Sequence, residues 1–268
     1  MMIQKKLIKK IKEKCETASR ISACMMYGSF TKGEGDQYSD IEFYIFLKIE
    51  TAEKFRSSEW LKDIAPYNLL FFNEFGSEVV VFSNLIRGEF HFLPESEIDV
   101  IKTFKDNGVF PDTESMFIYD TTGNLKASLN FLKGAGSERM TNENVNFAFN
   151  NFVNMWLMGI NVLKRGEYAR SHECLFFVQR SVLQLIRIHE EHVERWLNAT
   201  KNLEADISGE AYNDYASITS KLDKEELYAA YSNALQIIEK LVDIHTDNYQ
   251  FDIDKNFLGK LHGHLVNQ

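Results

Sequence analysis

The chain has 268 residues, of which 44 % are hydrophobic and 26 % are charged. With 3 prolines, this composition is typical of an ordered globular protein and excludes the disordered class. A net charge of −9 argues against a nucleic-acid partner held mainly through its phosphates, because that affinity comes from clustered lysines and arginines. The length suits one large core or two modest ones, and we predict two domains.

The sequence predicts neither a membrane segment nor a disulfide framework. No apolar run approaches the length of a membrane span, and the N-terminus lacks the unbroken apolar core of a signal peptide. We therefore expect a cytoplasmic protein without a membrane partner. Cys15, Cys24 and Cys174 show no C-x-x-C spacing, so we interpret them as reduced thiols.

The first half of the chain predicts one helix followed by a sheet. Lysines at positions 5–14 interleave with apolar residues at helical spacing. A basic helix of this kind lies on an anionic membrane or packs its other side against a core, and we expect the second arrangement. Short strand-like runs follow over residues 21–93, with one helix predicted at 51–65. These elements predict a small mixed sheet with a helix across one face.

The second half of the chain changes to helical periodicity. The stretch KGAGSERM at 133–140 predicts a linker. From Thr141 the apolar residues recur with the i, i+3, i+4 spacing of a helix, which Gly166 ends. A second helix is predicted over 167–197, and Asp223 is a candidate cap for a later one.

These patterns together predict the α+β class with two domains. Residues 1–136 are predicted to form a mixed β-sheet domain, and residues 137–268 an all-helical bundle. Aromatic residues at helical spacing in the second domain, such as Trp156, are predicted to lie in its core.

Two acidic residues lie at the start of the predicted strand SDIEFYIFL. Because side chains alternate along a strand, Asp40, Glu42 and Tyr44 share one face, while Ile41 and Phe43 share the other. Two like charges this close repel each other, and a divalent cation between them removes that cost. The pair is therefore a candidate Mg²⁺ site. The alternative is the exposed face of an edge strand, where acids serve solubility.

The turn before these acids favours the metal-site interpretation. An apolar strand ends at Gly28 and Ser29, where the backbone can approach a ligand closely and offer amides and a hydroxyl to a phosphate. The segment GSFTKGEG matches neither the P-loop nor the Rossmann G-x-G-x-x-G pattern. Lys32 in the same loop is a further candidate for phosphate binding.

The segment GSFTKGEGDQYSDIE resembles the nucleotidyltransferase superfamily that includes DNA polymerase beta, in which Gly-Ser precedes an acid-x-acid strand. Together with NLIRGEFHFL and WLMGINVLKRGEYARS, it is similar to the lincosamide nucleotidyltransferases of the two-domain type. This resemblance implies transfer of AMP from ATP to a hydroxyl of lincomycin or clindamycin, with Mg²⁺ and release of pyrophosphate. It also implies a catalytic domain at 1–136, a helical domain at 137–268 that shapes the antibiotic cleft, and a homodimer.

The resemblance further implies a third carboxylate on a neighbouring strand. The RGEF segment supplies Glu89, on the same face as Arg87, as a metal ligand, as the general base for the antibiotic hydroxyl, or as both. Asp40, Glu42 and Glu89 would then be the ligands of a two-metal site. Glu78 is the competing acid. A simple ion pair between Arg87 and Glu89 is the alternative, which we expect to be disfavoured between positions i and i+2 of one strand.

A basic cluster with one tyrosine lies at the predicted boundary of two helices, at Lys164, Arg165, Tyr168 and Arg170. These side chains are candidates for holding the β- and γ-phosphates from the second domain. The alternative is a basic helix C-terminus that complements the helix dipole. Glu167 is a candidate contact for the amine or sugar hydroxyls of the antibiotic.

Two other kinds of function remain open from the sequence. The same fold could modify another acceptor, such as an aminoglycoside, a protein or a tRNA end. An aminoglycoside carries several positive charges and requires a strongly acidic pocket. As a function without catalysis, the chain could be a nucleotide-binding partner of the toxin-antitoxin type. The presence of three acids argues against this alternative.

Overall fold

In the computed structural model, which describes residues 2–254 and 256–266, six strands form one mixed sheet in the first half of the chain. The strands are β1 (Ile21–Tyr27), β2 (Ile41–Leu47), β3 (Tyr67–Phe72), β4 (Glu78–Phe82), β5 (Arg87–Pro94) and β6 (Phe117–Asp120). Their order across the sheet is β3-β4-β5-β2-β1-β6. The β2–β5 pair is parallel, and the other neighbouring pairs are antiparallel.

Helical segments cover both faces of this sheet. The first half contains α1 (Ile3–Thr17), α2 (Ile49–Ala52), α3 (Ser57–Ile64), α4 (Asn124–Leu132) and 3₁₀ segments at Ser29–Lys32, Glu95–Asp106 and Glu114–Met116. Apolar residues of α1 and α3 pack with Phe43 and Phe90 on one face. On the other face, α4 and the segment Glu95–Asp106 pack with Met25 and Phe46. The mixed sheet and its helices confirm the predicted α+β class.

Helix α1 buries its apolar side, as predicted. Leu7, Ile11 and Cys15 are buried in the sheet core, while most of the lysines face solvent. Lys14 is the partly covered one, and its Nζ lies 2.6 Å from Asp63 Oδ2 of α3. The basic run is therefore the solvated side of a packed helix. Cys15, Cys24 and Cys174 are all free and buried.

One predicted helix is divided in two. Instead of a single helix over 51–65, the structure has α2 and α3 with a break at residues 53–56. The rings of Phe55 and Trp60 both contact Phe92, with centroids 5.1 and 5.6 Å from it. In a continuous helix of 3.6 residues per turn, positions five apart point about 140° away from each other. The break allows both rings to face the same neighbour.

The second half of the chain is helical, which confirms the predicted bundle. Its helices are α5 (Asn142–Lys164), α6 (Tyr168–His189), α7 (Leu203–Asp206), α8 (Gly209–Ser217), α9 (Lys224–His245) and α10 (Phe257–Val266). Thr141 and Asp223 cap α5 and α9 through side-chain oxygens that accept backbone N–H groups. The buried indole of Trp156 donates to the carbonyl of Tyr231 at 2.9 Å, which joins α5 to α9. Within the described part of the chain, no helix has both the length and the apolar character needed to cross a bilayer.

Helix α6 ends at His189, earlier than the predicted end near residue 197. Glu191 has a φ of 58°, in the left-handed region that stops a helix. The N–H of His192 donates to the carbonyl of Arg187 at 2.9 Å, which closes the end of the helix. The fully buried guanidinium of Arg187 then holds the following segment. Its partners are the carbonyl oxygens of His192, Ala199 and Lys201 and the carboxylate of Asp206.

The chain divides into two compact units, Met1–Gly136 and Ser137–Gln268. The boundary lies within the glycine-containing stretch at 133–140. The sheet and all its strands belong to the first unit, and α5 to α10 belong to the second.

Candidate active site

The three acids singled out by the sequence lie close together on one side of the sheet. Glu42 of β2 and Glu89 of β5 are partners in the parallel register, and Asp40 directly precedes β2. Residues in register point to the same face of a sheet. The opposite face carries Phe43 and Phe90, whose rings stack with centroids 5.6 Å apart in the core. The alternation predicted along β2 is therefore observed. Together with the parallel register of β2 and β5, it brings Glu42 and Glu89 to one surface.

The turn after β1 lies directly against Glu42. Tyr27 is the register partner of Glu42, and Gly28 follows with φ 79° and ψ −156°. That region of backbone conformation is essentially restricted to glycine. A Cβ at Gly28 would also overlap the Glu42 carboxylate. Glycine therefore allows the turn and the acid to be this close. Ser29 begins the 3₁₀ segment that ends at Lys32, whose side chain is exposed.

Arg87 joins two of the acids. Its guanidinium donates through Nη1 to Asp40 and through Nη2 to Glu89, where the Nη2–Oε2 distance is 2.5 Å. The expectation that an Arg87–Glu89 pair is disfavoured was wrong, because a forked guanidinium between two carboxylates gains hydrogen bonds and charge attraction from both. Among the described residues, no group of three His, Cys, Asp or Glu side chains is arranged to hold a metal ion. In this arrangement the cation between the acids is Arg87.

A tyrosine and a histidine complete the surroundings of Glu89. The hydroxyl of Tyr27 donates to Glu89 Oε1 at 3.4 Å and lies 3.1 Å from His91 Nε2. The ring of His91 stacks on Tyr44, with centroids 4.1 Å apart and planes 5° apart. These contacts fix the orientation of the Glu89 carboxylate from the β1 side of the sheet.

The pKa values around Glu89 are set by burial and by hydrogen bonds. Burial acts to raise the pKa of Glu89, but hydrogen bonds from Ser77 and Arg87 and the charge of Arg87 outweigh it, so the pKa lies below its ordinary value. Burial lowers the pKa of His91, against the attraction of Glu89. Burial and the Glu89 charge raise the pKa of Tyr44 to about 12. At neutral pH, Glu89 is thus an ionised acceptor next to an uncharged imidazole and a protonated phenol.

The competing acid, Glu78, lies on the other face of the sheet. It is the register partner of Phe90, and its carboxylate accepts a hydrogen bond from Ser57 at 2.7 Å. Burial raises the pKa of Glu78, although the bond from Ser57 opposes this. Glu89 is therefore the acid of this pair that shares a surface with Glu42.

Two protein-family models match the chain. Residues 9–109 match the family described as polymerase beta, nucleotidyltransferase, and residues 141–264 match the lincosamide nucleotidyltransferase-like, C-terminal domain. The chain is a two-domain polymerase-beta-like nucleotidyltransferase. The first match contains Gly28, Asp40, Glu42 and Glu89, so the acidic surface lies within the nucleotidyltransferase part.

Two solved structures align with this nucleotidyltransferase over most of their length. An aminoglycoside 6-adenyltransferase from Bacillus subtilis is 12 % identical, covers 98 % of this chain and 95 % of its own, and has a TM-score of 0.44. A nucleotidyltransferase-like protein from Exiguobacterium sibiricum is 11 % identical, covers 98 % and 89 %, and has a TM-score of 0.40. Comparison with curated protein sequences gives no match.

The remaining candidates lie in the helical unit of the nucleotidyltransferase, at the turn between α5 and α6. Lys164 donates to the carbonyl of His264 in α10. Arg170 Nη1 lies 3.4 Å from Glu167 Oε2, and Tyr168 is exposed. These contacts are local to the second unit, and binding of phosphate or antibiotic by these side chains stays a prediction.

Sequence reasoning missed Tyr27 as a residue of this site. It is the last residue of β1 and the register partner of Glu42. The available signal was its position immediately before Gly28, at the end of an apolar strand that leads into the turn. The alternation of side chains along β1 does not reveal which strand lies next to it. The contact between Tyr27 and Glu89 could therefore be predicted only with knowledge of the strand order.

Proposed function

We propose that this nucleotidyltransferase transfers AMP from ATP to a hydroxyl of a lincosamide such as clindamycin and releases pyrophosphate, as an antibiotic-resistance enzyme. The observation that carries the proposal is the register pairing of Glu42 with Glu89, next to Asp40 and the Gly28 turn. The choice of acceptor is supported by the lincosamide nucleotidyltransferase-like model over residues 141–264.

The acids fit Mg²⁺ by the chemistry of their donor atoms. Asp40, Glu42 and Glu89 present carboxylate oxygens on one surface, and Mg²⁺ in proteins is held by one or two such groups together with substrate phosphates. The Arg87 guanidinium already lies against two of the three, so this surface attracts positive charge. When bound there, Mg²⁺ supplies charge neutralisation to the triphosphate and the departing pyrophosphate.

The residues of the chain would carry the rest of the reaction. Glu89 takes the proton from the acceptor hydroxyl, whose oxygen forms a bond to the α-phosphorus as the bond to pyrophosphate breaks. The lowered pKa of Glu89 keeps this carboxylate ionised at neutral pH, and the Tyr27 hydroxyl orients it. Backbone amides of the turn at Gly28 and Ser29 bind phosphate oxygens, since consecutive N–H groups in such a turn form an anion site.

The proposal includes the wider roles predicted from the sequence. Lys32 of the first unit would contact the phosphates of ATP. For Lys164, Tyr168 and Arg170 of the second unit, phosphate binding stays a prediction from the sequence, as does antibiotic binding by Glu167. Residues 1–136 would be the catalytic domain, and residues 137–268 would shape the acceptor cleft. We place the enzyme in the cytoplasm as a homodimer without a nucleic-acid or membrane partner.

Mass spectrometry of clindamycin incubated with ATP, Mg²⁺ and the purified protein tests the proposal. We expect a product heavier by one AMP group. In Glu89→Gln the rate should fall by about 10²–10⁴-fold, the usual contribution of a positioned base. Glu78→Gln is the matched control, because this acid is on the neighbouring strand but faces the other way, and it should keep the wild-type rate.

Kanamycin in a parallel reaction separates the acceptor classes. Modification of kanamycin but not of clindamycin would keep the nucleotidyl transfer and reject the lincosamide. If Mg-ATP binds but neither antibiotic is modified, the result favours a macromolecular acceptor or a non-catalytic nucleotide-binding role. A Glu89→Gln protein with the wild-type rate would reject Glu89 as the base.

A further inference from the structure

One row of side chains crosses the sheet from the carboxylates to its β3 edge. Glu42 pairs with Glu89, Glu89 pairs with Val79, and Val79 pairs with Phe71. Partners in register point to the same face, and neighbouring strands lie about 4.8 Å apart, so the Phe71 backbone is about 10 Å from that of Glu89. The sheet face that carries the acids thus continues onto two further strands, where its side chains are apolar. Val79, next to Glu89, is buried, and Phe71 at the edge is exposed.

A second row runs beside the first. Arg87 pairs with Val81, and Val81 pairs with Leu69. Leu69 is 50 % exposed and Phe71 is 43 % exposed, although both are large apolar side chains. Their strand, β3, is the edge of the sheet. We call Leu69, Phe71, Val79 and Val81 the apolar shelf.

The Gly28 turn and the apolar shelf lie on opposite sides of the pair Glu42 and Glu89. On the β1 side of Glu42, the Gly28 turn provides the surface proposed for the triphosphate. On the other side of Glu89, β4 and β3 provide the apolar shelf. A molecule whose hydroxyl reaches Glu89 from the side away from the triphosphate has its remaining atoms directed across β4 towards the exposed side chains of Leu69 and Phe71.

We infer that the apolar shelf binds the apolar part of the acceptor molecule, an inference that rests on the proposed function. Leu69 and Phe71 are the exposed members of the shelf, whereas Val79 is buried, so covering these two exposed side chains removes apolar surface from water, which is favourable. It offers no carboxylate to a polycationic acceptor, and charged amines lose hydration without compensation on such a surface. The shelf therefore selects an acceptor with an uncharged hydrophobic portion adjacent to its reactive hydroxyl.

The neighbouring phenylalanine provides a matched control. Phe72 follows Phe71 on β3, is 68 % exposed, and pairs with Glu78, so it faces the opposite side of the sheet. Phe71→Ser and Leu69→Ser remove apolar surface from the shelf, whereas Phe72→Ser removes a similar area from the other face. Unfolding midpoints of all three proteins establish that each variant is folded before binding is compared.

The experiment measures two quantities for each protein. One is KM for clindamycin and for ATP in the transfer reaction, and the other is Kd for clindamycin alone by isothermal titration calorimetry. Losing a buried phenylalanine contact lowers affinity by about 10-fold or more. We expect that rise in KM and Kd for clindamycin in Phe71→Ser and Leu69→Ser, with KM for ATP unchanged. Phe72→Ser should match the wild type in every value.

Each other outcome has a definite meaning. If wild type modifies clindamycin and the shelf variants keep its KM and Kd, the inference is overturned while the proposed function stands. If KM rises for ATP alone, the shelf binds the adenine of ATP. If the variants lose a dimer without a change in KM, the shelf contacts a second copy of the chain. Either result overturns the inference. If wild type binds clindamycin without modifying it, and Phe71→Ser weakens that binding, the shelf stands and the proposed reaction fails. Absence of both binding and transfer in wild type overturns both.

Discussion

The substitution Gly28→Ala tests whether the turn and the Glu42 carboxylate depend on each other. The backbone at Gly28, with φ 79° and ψ −156°, costs a residue with a side chain about 1–3 kcal/mol. The new Cβ would also overlap the Glu42 carboxylate, which must then move from its place opposite Glu89. Misplacing a reacting group by about 1 Å lowers the rate about 100-fold. We therefore expect a loss of about 1–3 kcal/mol in the free energy of unfolding and a transfer rate at least about 100-fold lower.

Gly33→Ala is the control that separates backbone strain from the overlap with Glu42. Gly33 has φ 74° and ψ 7°, and a Cβ there meets no atom within 4 Å. The left-handed backbone alone costs about 1–2 kcal/mol, so this variant should lose comparable stability and keep its activity. Urea titration measures the stabilities, and AMP transfer at saturating ATP and clindamycin measures the rates. A Gly28→Ala protein as active as Gly33→Ala would refute the reasoning.

Two further predictions concern the charges around Glu89. Arg87→Met removes the cation held between Asp40 and Glu89, so the Kd for Mn²⁺ without nucleotide should be lower than in wild type. Titration with Mn²⁺, followed by electron paramagnetic resonance, measures this Kd. Weaker Mn²⁺ binding in the variant would contradict a competition between Arg87 and the metal. The lowered folded-state pKa of Glu89 means that its ionised form stabilises the fold above the unfolded-state pKa, and this contribution is lost as the pH falls through the folded-state value. The difference in unfolding free energy between wild type and Glu89→Gln should therefore shrink as the pH falls below about 4.5, and a growing difference would contradict the assigned sign.

Local sequence patterns were sufficient for the parts of the site that lie within one strand or turn. The alternation of Asp40 and Glu42 with apolar residues defines a face without knowledge of any neighbour. The conformation of Gly28 follows from a tight turn after an apolar strand. Both features depend on residues a few positions apart, so they could be predicted before the strands were placed in order.

The features that were missed depend on contacts between distant parts of the chain. The bridge from Arg87 to Asp40 exists because β2 and β5 are parallel neighbours with Ile41 opposite Gly88, a pairing that spans more than forty positions. Helix α6 ends early because the buried Arg187 binds carbonyl groups of the following loop. Strand β6, which has four residues, was not predicted, and it forms by pairing with β1. Short local windows do not contain this information.

The bridge also gives a physical reason for arginine, and not lysine, at position 87. Three carboxylates on a partly buried surface repel one another, and their ionised forms require compensating charge. The guanidinium satisfies Asp40 and Glu89 at the same time through different nitrogens, whereas a single ammonium group cannot match two separated carboxylates with the same geometry. The same fork is suited to phosphate oxygens. If nucleotide and metal draw the acids of the proposed site away from Arg87, its guanidinium has a phosphate to bind, so one residue compensates charge both before and after the substrates arrive.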